Sequence, residues 1–375
     1  MVTGLQVSHA IQSNWTQKLS VNFFRRHHEG RNPGVLSASH MFQIPPNTIK
    51  TTYSRLLPRW QHTIEIFPDW VFGGGGQLIS EFAEQSGIQQ LTAVGGATDR
   101  STDFRQTRLT GAVFAELSAT LFSKVHVTVG SRLDMPEEFQ PAISPRVALT
   151  YQAMPSTRIR VSYGEGFKLP SLVSIGDPII GNSGLNPETS EGWDVGLRTS
   201  LIGESLVADL TYFHNRFSDL IDLDPNLAQA GTFRLVNLRE VTTQGLEFSI
   251  DATVLSGLTI KGFLTYLDTQ IKNSSEGLRN RPKWSGGLIF STNPIDDLTI
   301  RAQVRAVGKR FDFQIPTTDR TVSGYIKADL SLTYAFAQSW QLYGVVDNVT
   351  NATYEEFLGF PAPRANVRLG IEYRR

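Results

Sequence analysis

Several short stretches carry residue types that do chemistry in other proteins, and each fails on spacing. Residues 73–76 ("GGGG") offer the bare amides of a phosphate-cradling loop, but such a loop ends in Gly-Lys-Ser/Thr and opens a helix. Here the chain continues "QLISEFAEQ", which reads as a glycine-rich strand. Asp222, Asp224 and Asn226 in "DLDPN" alternate as calcium ligands do. Yet Leu227 takes the place of the loop glycine and Phe233 that of the bidentate glutamate, so a polar turn is expected. His27 and His28 are adjacent, and neighbours on a strand point to opposite faces, which makes a poor chelate. No Gly-x-Ser-x-Gly or His-Glu-x-x-His element occurs, and nothing pairs a nucleophile with a base. The 375 residues include no cysteine, which excludes thiolate metal sites, disulfides and cysteine nucleophiles. The Asn-x-Ser/Thr triplets at Asn14, Asn273, Asn348 and Asn351 would matter only in a secreted eukaryotic protein. The expectation is a chain that is no enzyme and holds neither metal nor cofactor.

What remains is pattern. In "RANVRLGIEYRR", Val367, Leu369, Ile371 and Tyr373 fall on one face of a strand, with Asn366, Arg368 and Glu372 on the other. The same period of two runs through "LTIRAQVRAV", "YIKADLSLTYAF", "SPRVALTY" and "TRIRVSY". About 17 such segments occur, each of roughly the 10 residues that a tilted membrane strand needs. Phe213 and Phe263 break the pattern by lying on otherwise polar faces. Short turns ("QAMPS", "LIGE", "LSG", "NPIDD", "AFAQS") alternate with long polar connections such as "GFKLPSLVSIGDPIIGNSGLNPETS" and "DLDPNLAQAGTFRLVNLRE". A transmembrane barrel segregates its turns and loops in this way. Trp340, Tyr343, Tyr334, Phe336 and Tyr373 gather at strand ends, as an interfacial girdle does.

Composition agrees. Basic and acidic residues number 35 each, which gives no electrostatic case for nucleic acid. The hydrophobic share of 40% suits strands with only one apolar face. No run of about 18 apolar residues marks a transmembrane helix. The N-terminal "MVTGLQVSHAIQSNW" lacks the regions of a signal peptide. The fold class expected is all-β, an antiparallel transmembrane β-barrel with about 16–18 strands.

Five stretches in order resemble the C-terminal barrel of TonB-dependent outer-membrane receptors. They are "VSYGEGFKLPSL", "GNSGLNPETSEGWDVGLR", "VNLREVTTQGLEFSI", "GFLTYLDTQIKN" with "RNRPKWSGGL", and "LYGVVDNVTNATYEEFLGFPAPRANVRLGIEY". The likeness is clear over residues 104–375 and weaker over 1–103, all read as one barrel domain. The family's barrel has 22 strands filled by a plug. Nothing ahead of residue 104 resembles a plug, and the chain ends in Arg375 where the family favours an aromatic residue. The expectation is therefore a fragment that lacks the plug and about five strands.

The resemblance implies an integral barrel of a Gram-negative outer membrane, with membrane lipid as a partner. It implies uptake of a scarce nutrient, an iron–siderophore chelate or cobalamin, coupled to the TonB system if a plug is supplied. A plugless diffusion porin is one alternative, and a soluble all-β binding protein another. Strand alternation points Arg158, Arg160, Arg301, Arg305, Lys327, Asp329 and Arg368 into the lumen. Lys168, Asp177, Asn182, Asp222, Asp224 and Asn226 fall in the long connections and are the candidate ligand contacts.

Overall fold

A computed structural model describes residues 1–36, 43–44, 46–93, 96–224, 234–274, 277–312 and 321–373. Its main feature is one antiparallel sheet of 18 strands. The first wall strands are β1 (Val2–Gln12), β2 (Trp15–Asn32), β3 (Asn47–Phe67), β4 (Trp70–Ala93), β5 (Phe104–Leu121) and β6 (Val125–Pro136). Then come β7 (Ala142–Met154), β8 (Thr157–Lys168), β9 (Glu188–Ser200), β10 (Leu206–Leu223), β11 (Leu235–Leu255) and β12 (Leu258–Ile271). The wall ends with β13 (Trp284–Ile295), β14 (Leu298–Val307), β15 (Tyr325–Ala337), β16 (Trp340–Asp347) and β17 (Asn366–Tyr373). Each pairs with the next in sequence, and the remaining strand, Gly96–Ser101, pairs only with the tip of β4.

The expected count of wall strands holds, but their lengths do not. β3, β4 and β11 have 21, 24 and 21 residues, well beyond a membrane crossing. Much of "DLDPNLAQAGTFRLVNLRE", expected as loop, is strand, because β10 and β11 stay paired as far as Leu223 and Leu235. Continuing the ladder satisfies backbone groups that a loop would leave to water.

Two- to five-residue turns lie at one end of the wall. Gly257, at φ 86° between β11 and β12, takes a left-handed turn position that only glycine adopts freely. The long connections lie at the other end. β1 pairs only with β2 and β17 only with β16 among the described residues. Both edge strands run toward the short-turn end, so they cannot pair with each other in antiparallel fashion.

Register assigns the two faces. Val367, Leu369 and Ile371 oppose Val346, Gly344 and Leu342. Their exposure of 62%, 81% and 62% marks an apolar surface with no protein cover. On this face Trp340 meets Tyr373 at 4.9 Å near the short turns, and Tyr266 meets Trp284 at 4.7 Å toward the long connections. Just beyond, Arg216 reaches Glu240 at 2.7 Å and Glu191 at 3.6 Å, ending the apolar band with charge. That band between aromatic belts is the lipid-facing surface of a barrel.

Tyr343 corrects one expectation. Register places it opposite Gly370 on the polar face, outside the girdle. Phe213 and Phe263 share that face, opposite Gly245 and Gly287. Each ring covers a glycine on the neighbouring strand, where a Cβ would come within 2.8 Å and 2.9 Å of its Cζ. The pattern breaks are therefore aromatic–glycine packing pairs across strands.

Candidate functional site

The connection between β8 and β9, residues 169–187, returns over the wall as a strap. It carries the chain's one described helix, α1 (Leu172–Gly176). Ser171 caps that helix, its Oγ accepting from the Ser174 amide at 3.0 Å. Asp177 ends it, with Oδ1 accepting the amides of Ile179 and Ile180 at 2.8 and 3.0 Å. Leu172 and Leu185 are buried beneath the strap.

Both ends of the strap are tied down. At the first end Arg108 of β5 donates through Nη1 to the Pro170 carbonyl at 2.6 Å. It also donates through Nε and Nη2 to Glu81 Oε2 at 3.0 and 2.7 Å. Tyr53 donates to the other oxygen of Glu81 at 2.6 Å. Gln85 of β4 donates to Asp177 Oδ2 at 2.8 Å and to the Thr102 carbonyl at 3.1 Å. At the far end Asn182 donates to the Leu235 carbonyl at 3.0 Å, and the Leu235 amide donates to the Ile180 carbonyl at 2.8 Å. Asn237 Oδ1 accepts the Asn186 amide at 2.8 Å. One segment thus joins β4 and β5 to β11, across the strands between them. It contacts β4 and β5 on their polar face, so that face is the concave, inner one.

Four of the candidate ligand contacts are used in holding this end together. Lys168 pairs with Glu188, which also accepts the Ile221 amide at 2.8 Å. Asp177 and Asn182 fasten the strap as described. Asp222 pairs with Arg279 at 3.4 Å. Asp224 follows β10, its amide donating to the Arg234 carbonyl at 2.9 Å. Asn226 lies outside the described residues.

All seven wall candidates stand on the inner face by register. Arg160 grips Asp209 with two hydrogen bonds at 2.8 and 2.9 Å. Arg158 donates to Gln152 at 3.2 Å. Lys327 pairs with Asp329 at 3.1 Å, and Asp329 also accepts the Asn348 amide at 2.8 Å. Arg368 donates to Asp347 at 2.8 Å. Arg301 and Arg305 have no ion pair among the described residues. Sequence reasoning passed over the other side of the wall, where Lys18, Arg26, Arg55 and Arg59 share the inner face of β2 and β3. The four-residue spacing of Arg55 and Arg59 was the available signal.

A second tie closes the C-terminal connections. Arg310 donates to the carbonyls of Glu355 and Glu356 at 2.7 and 2.6 Å, and Tyr325 stacks on Tyr354 at 4.1 Å. Asn348, buried, donates to the carbonyls of Ala352 and Pro363 at 2.9 and 3.3 Å. These bonds shape the turn that follows β16.

A wide antiparallel wall with a lipid-facing apolar band, segregated turns and loops, and an inward strap defines an integral β-barrel protein of the outer membrane. The family is equally definite. The family model described as TonB dependent receptor-like, beta-barrel matches residues 2–349, and the chain belongs to that family. The vitamin B12 transporter BtuB of Vibrio cholerae is 25% identical over 323 residues, covering 84% of this chain and 48% of that protein. The iron-regulated outer membrane virulence protein of Vibrio cholerae is 28% identical over 288 residues, covering 70% of this chain and 44% of that protein. The chain thus spans about half the length of the curated relatives it matches. Among solved structures, the siderophore receptor PiuA from Acinetobacter baumannii superposes with a TM-score of 0.79 at 14% identity, covering 99% of this chain and 64% of that one. The copper transporter OprC superposes at 0.77 and 15% identity, covering 99% and 65%. These two likenesses speak for the fold.

Proposed function

We propose that this chain is the barrel wall of a TonB-dependent receptor that captures a scarce nutrient of the iron–siderophore or cobalamin class at its long-connection end. Transport needs no catalysis. A plug domain would gate the lumen, and the TonB system would move the plug. The observation that carries this reading over a self-closing porin is the common direction of β1 and β17. Among the described residues the seventeen wall strands leave these two parallel edges unpaired, and an open edge in lipid leaves backbone groups without partners. An odd number of further strands would close the wall, about five if it reaches the family's size.

The test is uptake in a Gram-negative host that lacks its own cobalamin and siderophore receptors. The chain is expressed together with a family plug domain and five preceding strands. Saturable uptake of labelled cyanocobalamin or a ferric chelate, abolished by an uncoupler and by loss of TonB, is the expected result. Unsaturated flux of neutral sugars through the chain alone in liposomes would establish the porin instead.

A further inference from the structure

The inner wall of β2 and β3 carries four cations without carboxylate partners among the described residues. Arg26 lies opposite Tyr53, and Arg55 stands two residues along from Tyr53. Arg59 lies opposite Ser20 and Lys18 opposite Gln61, which makes a second diagonal pair. Diagonal neighbours on one face of a sheet stand about 7–8 Å apart, within reach of long side chains. The two pairs are offset by the four residues from Arg55 to Arg59, about 13 Å along the strand.

Among the described residues no carboxylate forms an ion pair with them. The carboxylate opposite Arg55 is Glu81, and both its oxygens are already engaged by Tyr53 and Arg108. The carboxylate of Glu65 lies six residues from Arg59 and four from the level of Lys18, about 20 and 13 Å along the strand. Both distances exceed the screening length of about 8 Å in physiological salt. On β5, β6 and β7 the contrast is plain, since Arg132 of β6 is matched by Asp134 and Arg146 of β7 by Glu116 of β5. Arg59 is also held in place, its guanidinium 4.5 Å above the Phe114 ring, and its buried Nε has no hydrogen-bond partner. Like charges at such diagonal spacing repel one another, and an anion seated between them would be attracted to both.

We propose that the inner wall of β2 and β3 is a binding track for a small solute bearing at least two anionic oxygen groups, such as carboxylates or phosphates. Arg26 and Arg55 form the upper station and Arg59 and Lys18 the lower one. The upper station lies at the foot of the strap, beside the Glu81–Arg108–Pro170 tie, where a solute entering from the long-connection end arrives first. The track deepens the uptake reading and rests on it, by giving the cargo a charge class.

The test uses the chain refolded in detergent, with citrate and tripolyphosphate as probes and isothermal titration as the readout. Wild type binds both saturably and more weakly as salt rises. The double variant Arg55→Gln/Arg59→Gln loses about tenfold or more in affinity. Arg25→Gln/Arg31→Gln removes equal charge from the opposite face of β2 and leaves affinity unchanged. Retention of heat-modifiable migration on gels shows that each variant is folded. If the first pair of substitutions abolishes folding, Lys18→Gln/Arg26→Gln examines the same stations from β2. Equal affinity in wild type and inner-face variants, or equal loss in the outer-face variant, overturns the track. So does a chain that binds an oligoglutamate peptide but neither probe, which would assign the wall to a protein segment. Failure to bind the probes by a folded chain that still supports nutrient uptake rejects the track and leaves the uptake reading standing.

Discussion

Arg108 and Glu81 form a nearly buried ion pair, 2.7 Å long, with side-chain exposures of 4% and 15%. It links β4 to β5 and, through the Pro170 carbonyl, fixes the strap to the wall. Removing one partner of such a pair leaves the other charged and uncompensated, at a cost of about 3–5 kcal/mol. Arg108→Ala is expected to lower the urea midpoint and free this end of the strap. The chain has no cysteine, so maleimide labelling of a single Ser174→Cys background reports strap release directly. Unchanged labelling in the Arg108→Ala variant would show that the strap is held elsewhere.

Gln85 and Asp177 hold the same end by a separate contact, bridging positions 92 apart in sequence. Asp177→Ala removes acceptors from Gln85 and from two backbone amides, and should cost about 1–3 kcal/mol. A double-mutant cycle with Gln85→Ala isolates the shared bond, with about 1 kcal/mol or more of coupling expected. Additive single-variant losses would mean that the bond contributes nothing to stability.

The aromatic–glycine pairs differ in what surrounds each glycine. A Cβ at Gly287 would meet the Val304 carbonyl oxygen at 2.6 Å as well as the Phe263 ring. At Gly370 the three nearest atoms all belong to the Tyr343 side chain. Both alanine substitutions should destabilise by about 1–3 kcal/mol. Tyr343→Ala should relieve Gly370→Ala, whereas Phe263→Ala should leave Gly287→Ala impaired, because a backbone oxygen cannot be trimmed. Equal rescue at both sites, read from urea midpoints, would contradict this packing.

Leu264 and Thr265 are neighbours on β12 that face lipid and lumen respectively. Leu264→Arg should cost about 2–4 kcal/mol if it lies near the midplane, while Thr265→Arg should be tolerated. The folded fraction of each variant after refolding into lipid vesicles decides the matter. A greater loss at Thr265 would reverse the assignment of faces.

Strand identity was legible in the sequence because the period of two is local. "YIKADLSLTYAF" shows its faces without reference to any neighbour, and the structure pairs Leu330, Leu332 and Tyr334 with the lipid-facing residues of β16 as that pattern implies. The alternation of short turns and long connections was legible for the same reason. Tyr343 was misplaced because a girdle was inferred from closeness to a strand end, while its face depends on register against Gly370.

The conformation of the long connections belongs to another category. Residues 169–187 look like an open polar loop, and Asp177 and Asn182 look free to meet a ligand. Their partners Gln85 and Leu235 come from distant strands. Arg108 finds Pro170 across 62 positions of sequence. By itself the sequence determined the strands, their faces and the family. Only the tertiary structure decided which polar groups the wall and strap satisfy between themselves and which cations on β2 and β3 are left unmatched among the described residues. The physical reason is that alternation is a property of each strand alone, whereas neutralisation depends on which strands the ladder brings opposite one another.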